Sequence, residues 1–85
     1  MQNHLLSFEL SDNKDQLLIH GDEAGLRLLI STLDKLVNHT QDGHFDHDHL
    51  MTPAWGGWEL SPENKGGTVI NHVKVYCWKG EQFQK

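Results

Sequence analysis

Cysteine is nearly absent from this chain of 85 residues: Cys77 is the only one. No disulfide can form within the chain, so the fold must hold by packing alone, and a reducing, cytoplasmic compartment is the expected setting. Aliphatic runs stop at three residues, Leu17 to Ile19 and Leu28 to Ile30, far short of the ~20 that cross a bilayer. The beginning of the chain shows no charged-then-apolar export pattern. Basic residues are scarce, seven Lys and Arg against twelve Asp and Glu, for a net charge of −5 with histidine neutral. Such a surface repels phosphate backbones, which excludes nucleic acid as an expected partner and favours a basic protein. The length supports one domain, residues 1–85, with one small core and no internal repeat.

Both prolines, Pro53 and Pro62, fall in one stretch, and the remainder reads as regular scaffold. Leu6, Phe8 and Leu10 alternate with Ser7 and Glu9, the pattern of a half-buried strand. A polar cluster, Asp12 to Asp15, separates it from Gln16 to His20, so the two segments predict an antiparallel hairpin with a four-residue loop. Asp22 suits a helix N-cap. Beyond it, Leu26, Leu29, Ile30, Leu33, Leu36 and Val37 recur at helical spacing, a stripe expected to pack on the sheet as core. Asn38 to Gly43 should end that helix, with Gly43 free to turn left-handed. Thr68 to Trp78 predicts a single long strand, with Val69, Val73, Val75 and Cys77 facing the helix. Ile70, His72, Lys74, Tyr76 and Trp78 would be displayed on its reverse. Lys79 to Lys85, with Phe83, reads as a polar tail. The expected fold is α+β, an antiparallel sheet of four to five strands with one long helix packed on one face, in the order β-β-α-β-β-β.

The chemistry gathers between His44 and Pro62. Alternation in His47-Asp48-His49-Leu50-Met51 places both imidazoles and the thioether on one strand face. Trp55-Gly56-Gly57-Trp58 has the form of a tight type I′ hairpin flanked by indoles. Tryptophan, tyrosine and neighbouring charge are the groups that dominate protein interfaces. Asp46, His47, Asp48, His49, Trp55, Trp58 and Glu59, extended by His72, Lys74, Tyr76 and Trp78, form the candidate binding surface. An alternative is a metal-binding enzyme or regulator using His44, His47 and His49. The paired cysteines or His-x₃₋₅-His helix of structural zinc sites are missing, so no cofactor is expected. Cys77 and His72 would face opposite sides of one strand, and Ser31 and Ser61 lack a nucleophile motif. No enzyme class emerges. A third alternative is a homodimer that buries the displayed Tyr76 and Trp78 face.

The run His49 to Ser61 (His-Leu-Met-Thr-Pro-Ala-Trp-Gly-Gly-Trp-Glu-Leu-Ser), with Leu17 to Asp22 before it and Ile70 to Trp78 after it, resembles the immunity protein 32 family of bacterial polymorphic toxin systems. The similarity extends over most of the chain. What it implies is a small cytoplasmic α+β protein without catalysis, which binds and occludes a cognate toxin. An acidic immunity protein would suit a basic, nuclease-type toxin domain. The resemblance does not indicate which residues touch the toxin.

Overall fold

A computed structural model describes residues 3–80, so Phe83 of the polar tail lies outside the described residues. In chain order the elements are β1 (Leu6–Leu10), β2 (Leu17–Gly21), α1 (Glu23–His39), β3 (Phe45–Met51), a 3₁₀ turn (Pro53–Trp55), β4 (Thr68–Val69) and β5 (His72–Trp78). The class and order are those expected, α+β and β-β-α-β-β-β, but the five strands divide into two sheets, β2-β1-β4 and β3-β5. All pairings are antiparallel.

The division arises in the run 68–78, which is not one strand. It pairs with β1 through Thr68 and Val69, and the amide of Ile70 donates to Phe8 at 2.8 Å. At Asn71 it leaves that sheet: the amide and hydroxyl of Thr52 both donate to Asn71, at 3.0 and 2.7 Å. From His72 on, it pairs with β3. The break resets the alternation, so Ile70 packs against the core beside Val73 instead of being displayed.

β1 is the middle strand, and both of its faces are covered. Leu6 and Phe8 join Leu50 and Leu60 in the core, with Leu28, Leu29, Ile70 and Val73 packed around them. Ser7 and Glu9, on the reverse, are fully buried as well. The expectation of a half-buried strand therefore fails, because the segment before β4 folds back over the polar face. The amides of Lys65 and Gly67 donate to the two oxygens of Glu9 at 2.7 and 3.0 Å. The Lys65 amide holds that carboxyl below its ordinary value of 4.5; the Gly67 amide, His20 and the Lys65 ammonium add to this, while burial opposes it.

The hairpin closes as the sequence predicts, with Ser11 and Gln16 bonded around residues 12–15. Asp22 caps α1 by accepting from the Gly25 amide at 2.7 Å, and that bond first of all lowers its carboxyl pKa. Gly43 is left-handed, with φ 81°. At the helix end, Lys79 Nζ donates to the carbonyls of Val37 and Thr40 at 2.7 and 2.9 Å, tying the last turn to the chain beyond β5.

The helix stripe is the largest departure from expectation. Leu36 is buried and Leu29 half-buried, but Leu26, Ile30, Leu33 and Val37 are exposed. Gly25 sets the rotation: it lies so close to the backbone of Leu5 that any Cβ there would overlap the Leu5 carbonyl oxygen. With Gly25 against β1, the face that meets the sheet runs through Gly25, Leu28, Leu29, Thr32 and Leu36. The stronger apolar stripe is turned out.

Candidate functional site

β3 and β5 form a two-stranded ribbon in register, Phe45 opposite Trp78, His47 opposite Tyr76, His49 opposite Lys74 and Met51 opposite His72. Side chains directly opposite share a face. Leu50 and Val73 are on the face that meets the core. The reverse face carries Phe45, His47, His49, Met51, His72, Lys74, Tyr76 and Trp78, as the alternation predicts.

On that face the rings form a continuous series. Phe45 stacks on Trp78 at 4.4 Å between centroids, and Tyr76 lies 5.9 Å from Trp78. His47 follows at 5.4 Å from Tyr76 and 4.9 Å from His49. His49 stacks on His72 at 4.9 Å, and Trp55 completes the series 5.7 Å from His72. A hydrogen bond of 2.7 Å joins Nδ1 of His49 to Nε2 of His72 and fixes both rings. Lys74 extends its ammonium over Tyr76 at 5.4 Å, a cation–π contact. Phe45, Trp55, Tyr76 and Trp78 are between 43% and 58% exposed. Rings that order one another while presenting their outer surfaces lose little entropy on binding, and they suit a flat protein partner.

Trp55 reaches the series through the 3₁₀ turn. The expected type I′ hairpin is absent: Pro53 starts a helical turn, only Gly56 of the glycine pair is left-handed (φ 87°), and Gly57 lies too close to the backbone of Met51 to carry a side chain. Trp58 is set edge-on to His4 at 6.2 Å. Seven of the candidate residues, His47, His49, Trp55, His72, Lys74, Tyr76 and Trp78, are thus brought together, and Phe45 and Met51 join them. Continuing the odd-numbered alternation back one step from His47 would have found Phe45.

The acidic candidates have a different place. Among the described residues β3 has no strand on its outer side, and three of its outward amides are taken by carboxylates: His47 donates to Asp46 at 2.8 Å, His49 to Asp48 at 2.7 Å and Met51 to Glu59 at 3.1 Å. Asp46, Asp48 and Glu59 therefore cover the backbone groups that would otherwise pair with another strand. Asp46, His47 and Asp48 also line a groove of about 290 Å³ against Lys35, Leu36 and His39 of α1. Among the described residues, no group of three or more His, Cys, Asp or Glu side chains could hold a metal ion, so His44, His47 and His49 do not assemble into a site. Ser61 is buried, its hydroxyl accepting from the Leu6 amide at 3.1 Å and donating to the His4 carbonyl at 3.2 Å. Among the described residues, no helix is long and apolar enough to cross a membrane.

Comparison with known proteins adds one positive finding. The family model described as immunity protein 32 matches residues 16–73, more than half of the chain, from β2 into β5. No curated protein and no solved structure matches the chain.

Proposed function

The chain belongs to the immunity protein 32 family, and from that membership we propose that it neutralises a cognate bacterial toxin domain by binding and occluding it, with no chemistry of its own. The observation that supports this most directly is the ring series on the open face of β3-β5, in which Phe45, Tyr76 and Trp78 order one another, Trp55 packs on His72, and Lys74 borders the rings. Desolvated aromatic anchors slow dissociation of a complex, whereas net charge acts mostly on encounter. The charge of −5 would steer the protein toward a basic toxin, as a nuclease-type domain would be. Both partners would meet in the cytoplasm of the producing cell. His47, His49, Trp55, His72, Tyr76 and Trp78, together with Phe45 and Met51, form the centre of the proposed contact. Trp58, Glu59, Asp46 and Asp48 form its rim.

The test is capture of the partner from the producing bacterium by mild crosslinking and mass spectrometry, followed by titration of the purified toxin domain against the protein and its Phe45→Ala/Trp78→Ala variant. A toxin domain bound by the parent and at least about 100-fold more weakly by the variant is the expected result. Equal affinities would move the contact off this face. Recovery of a metal-loaded protein with no protein partner would overturn the toxin-neutralising reading itself.

A further inference from the structure

The rotation imposed by Gly25 leaves a second apolar surface, distinct from the ring series and on the opposite side of the β3-β5 ribbon. Leu26, Ile30, Leu33 and Val37 recur along α1 at steps of four, three and four residues, and all are exposed. Leu17 and Ile19 pair with Leu10 and Phe8, so they lie on the sheet face that the helix packs against. They are uncovered too, and the six side chains are between 39% and 63% exposed. Leu26 lies over Gly21, the next residue on that face after Ile19, so the helix and strand parts adjoin.

We infer that this surface docks a second copy of the chain, α1 packing antiparallel on α1 about a two-fold axis. Steps of four, three and four are the seam of a coiled coil, Leu26 and Leu33 at d and Ile30 and Val37 at a. Antiparallel pairing sets Leu26 of one copy against Val37 of the other, and Ile30 against Leu33. The charges agree with this direction. Arg27 and Asp34 each follow a d residue on the same side of the seam, so the two-fold brings Arg27 of either copy beside Asp34 of the other. Arg27 is the only arginine, and its present partner is Glu23 at 3.0 Å, an exposed pair one turn away that exchanges readily. Area points the same way: the six side chains expose on the order of 500 Å², at the upper end for a lone monomer, and a second helix that also lies over Leu17 and Ile19 beside the seam would bring the area buried by two copies up to on the order of 1,000 Å², where specific interfaces begin. The ring series stays outside such a dimer, which would present two toxin-binding faces.

Sedimentation equilibrium of the full chain from about 1 to about 500 μM tests the inference over the range such an area supports. The expected result is a dimer at twice 9.7 kDa. Ile30→Glu/Leu33→Glu should be monomeric throughout with an unchanged far-ultraviolet circular dichroism spectrum, since both sites are exposed. Arg27→Asp should weaken the dimer about 10-fold, and Arg27→Asp/Asp34→Arg should restore it to within about threefold. A parent chain that is monomeric at the highest concentration overturns the inference. So does a dimer that survives Ile30→Glu/Leu33→Glu, a charge reversal that fails to restore association, or a dimer that dissociates on Phe45→Ala/Trp78→Ala, which would place the second copy on the ring series.

Discussion

β1 and β3 have similar patterns and opposite fates. β1 alternates Leu6, Phe8 and Leu10 with Ser7 and Glu9, and β3 begins in the same way, Phe45, His47 and His49 alternating with Asp46 and Asp48. In β1 both sets are buried, and the acid, Glu9, binds two amides of an overlying segment. In β3 four of the seven residues are exposed and two half-buried, and the acids bond amides along the strand's own outer edge. Alternation fixes which side chains share a face; the number of neighbouring strands and covering segments decides whether that face is wet. The molecule is therefore divided into a covered half that carries stability and an open ribbon available for recognition.

Gly25→Ala should break the covered half most severely. The new methyl would overlap the Leu5 carbonyl oxygen, backbone that cannot move aside without opening the β1–α1 contact. A loss of about 3 kcal/mol or more, read as a fall of about 15 °C in Tm, is expected. On the ribbon, Phe45→Ala/Trp78→Ala removes two stacked but exposed rings. Its stability should change by less than about 1 kcal/mol, while toxin affinity falls about 100-fold. A large stability loss from the ribbon variant would erase the division between the halves.

Glu9→Gln sharpens the comparison through pH. Because the folded carboxyl has its pKa lowered below 4.5, its stabilisation is present above that value and is lost as the pH falls through the folded pKa. Urea midpoints of the parent should therefore fall between about pH 5 and pH 3, and the Gln variant should begin lower and lose less over that window. Asp22, also lowered, supplies part of the remaining slope.

The sequence revealed most of the fold and, of the eleven candidate residues, the seven that share one face, for identifiable reasons. Local chemistry was legible: the Asp22 cap, the Asp12–Asp15 loop, the left-handed Gly43 and the strand faces of β3 and β5 all follow from residues near one another in the chain. What depends on distant contacts was not. A helical glycine carries no periodic signal of its own, so Gly25 gave no warning that its approach to Leu5 would turn Leu26, Ile30, Leu33 and Val37 outward. The switch at Asn71 depends on Thr52, nineteen residues earlier. Glu9 looked like a solvated residue because its partners, Lys65 and Gly67, are more than fifty positions away. The glycine pair read as a hairpin because its composition fits one, and Pro53 with the crowding at Gly57 decided otherwise.

The smallest expected effect concerns the edge of the ribbon, where two explanations of Asp46 and Asp48 diverge. If their main role is to occupy the outward amides of His47 and His49, asparagine can replace them, because its carbonyl oxygen accepts the same hydrogen bond without charge. Alanine cannot. Asp46→Asn/Asp48→Asn should then match the parent in stability and in light scattering at high concentration. Asp46→Ala/Asp48→Ala should lose no more than about 1 kcal/mol but scatter more, as its freed edge pairs with other chains. If the carboxylates act chiefly as charged contacts to a basic toxin, the asparagine and alanine variants should instead weaken toxin association alike, mostly through the on-rate and most strongly at low salt. Stopped-flow association at two ionic strengths, beside scattering on the same samples, separates an edge that is merely protected from one that also recruits the partner.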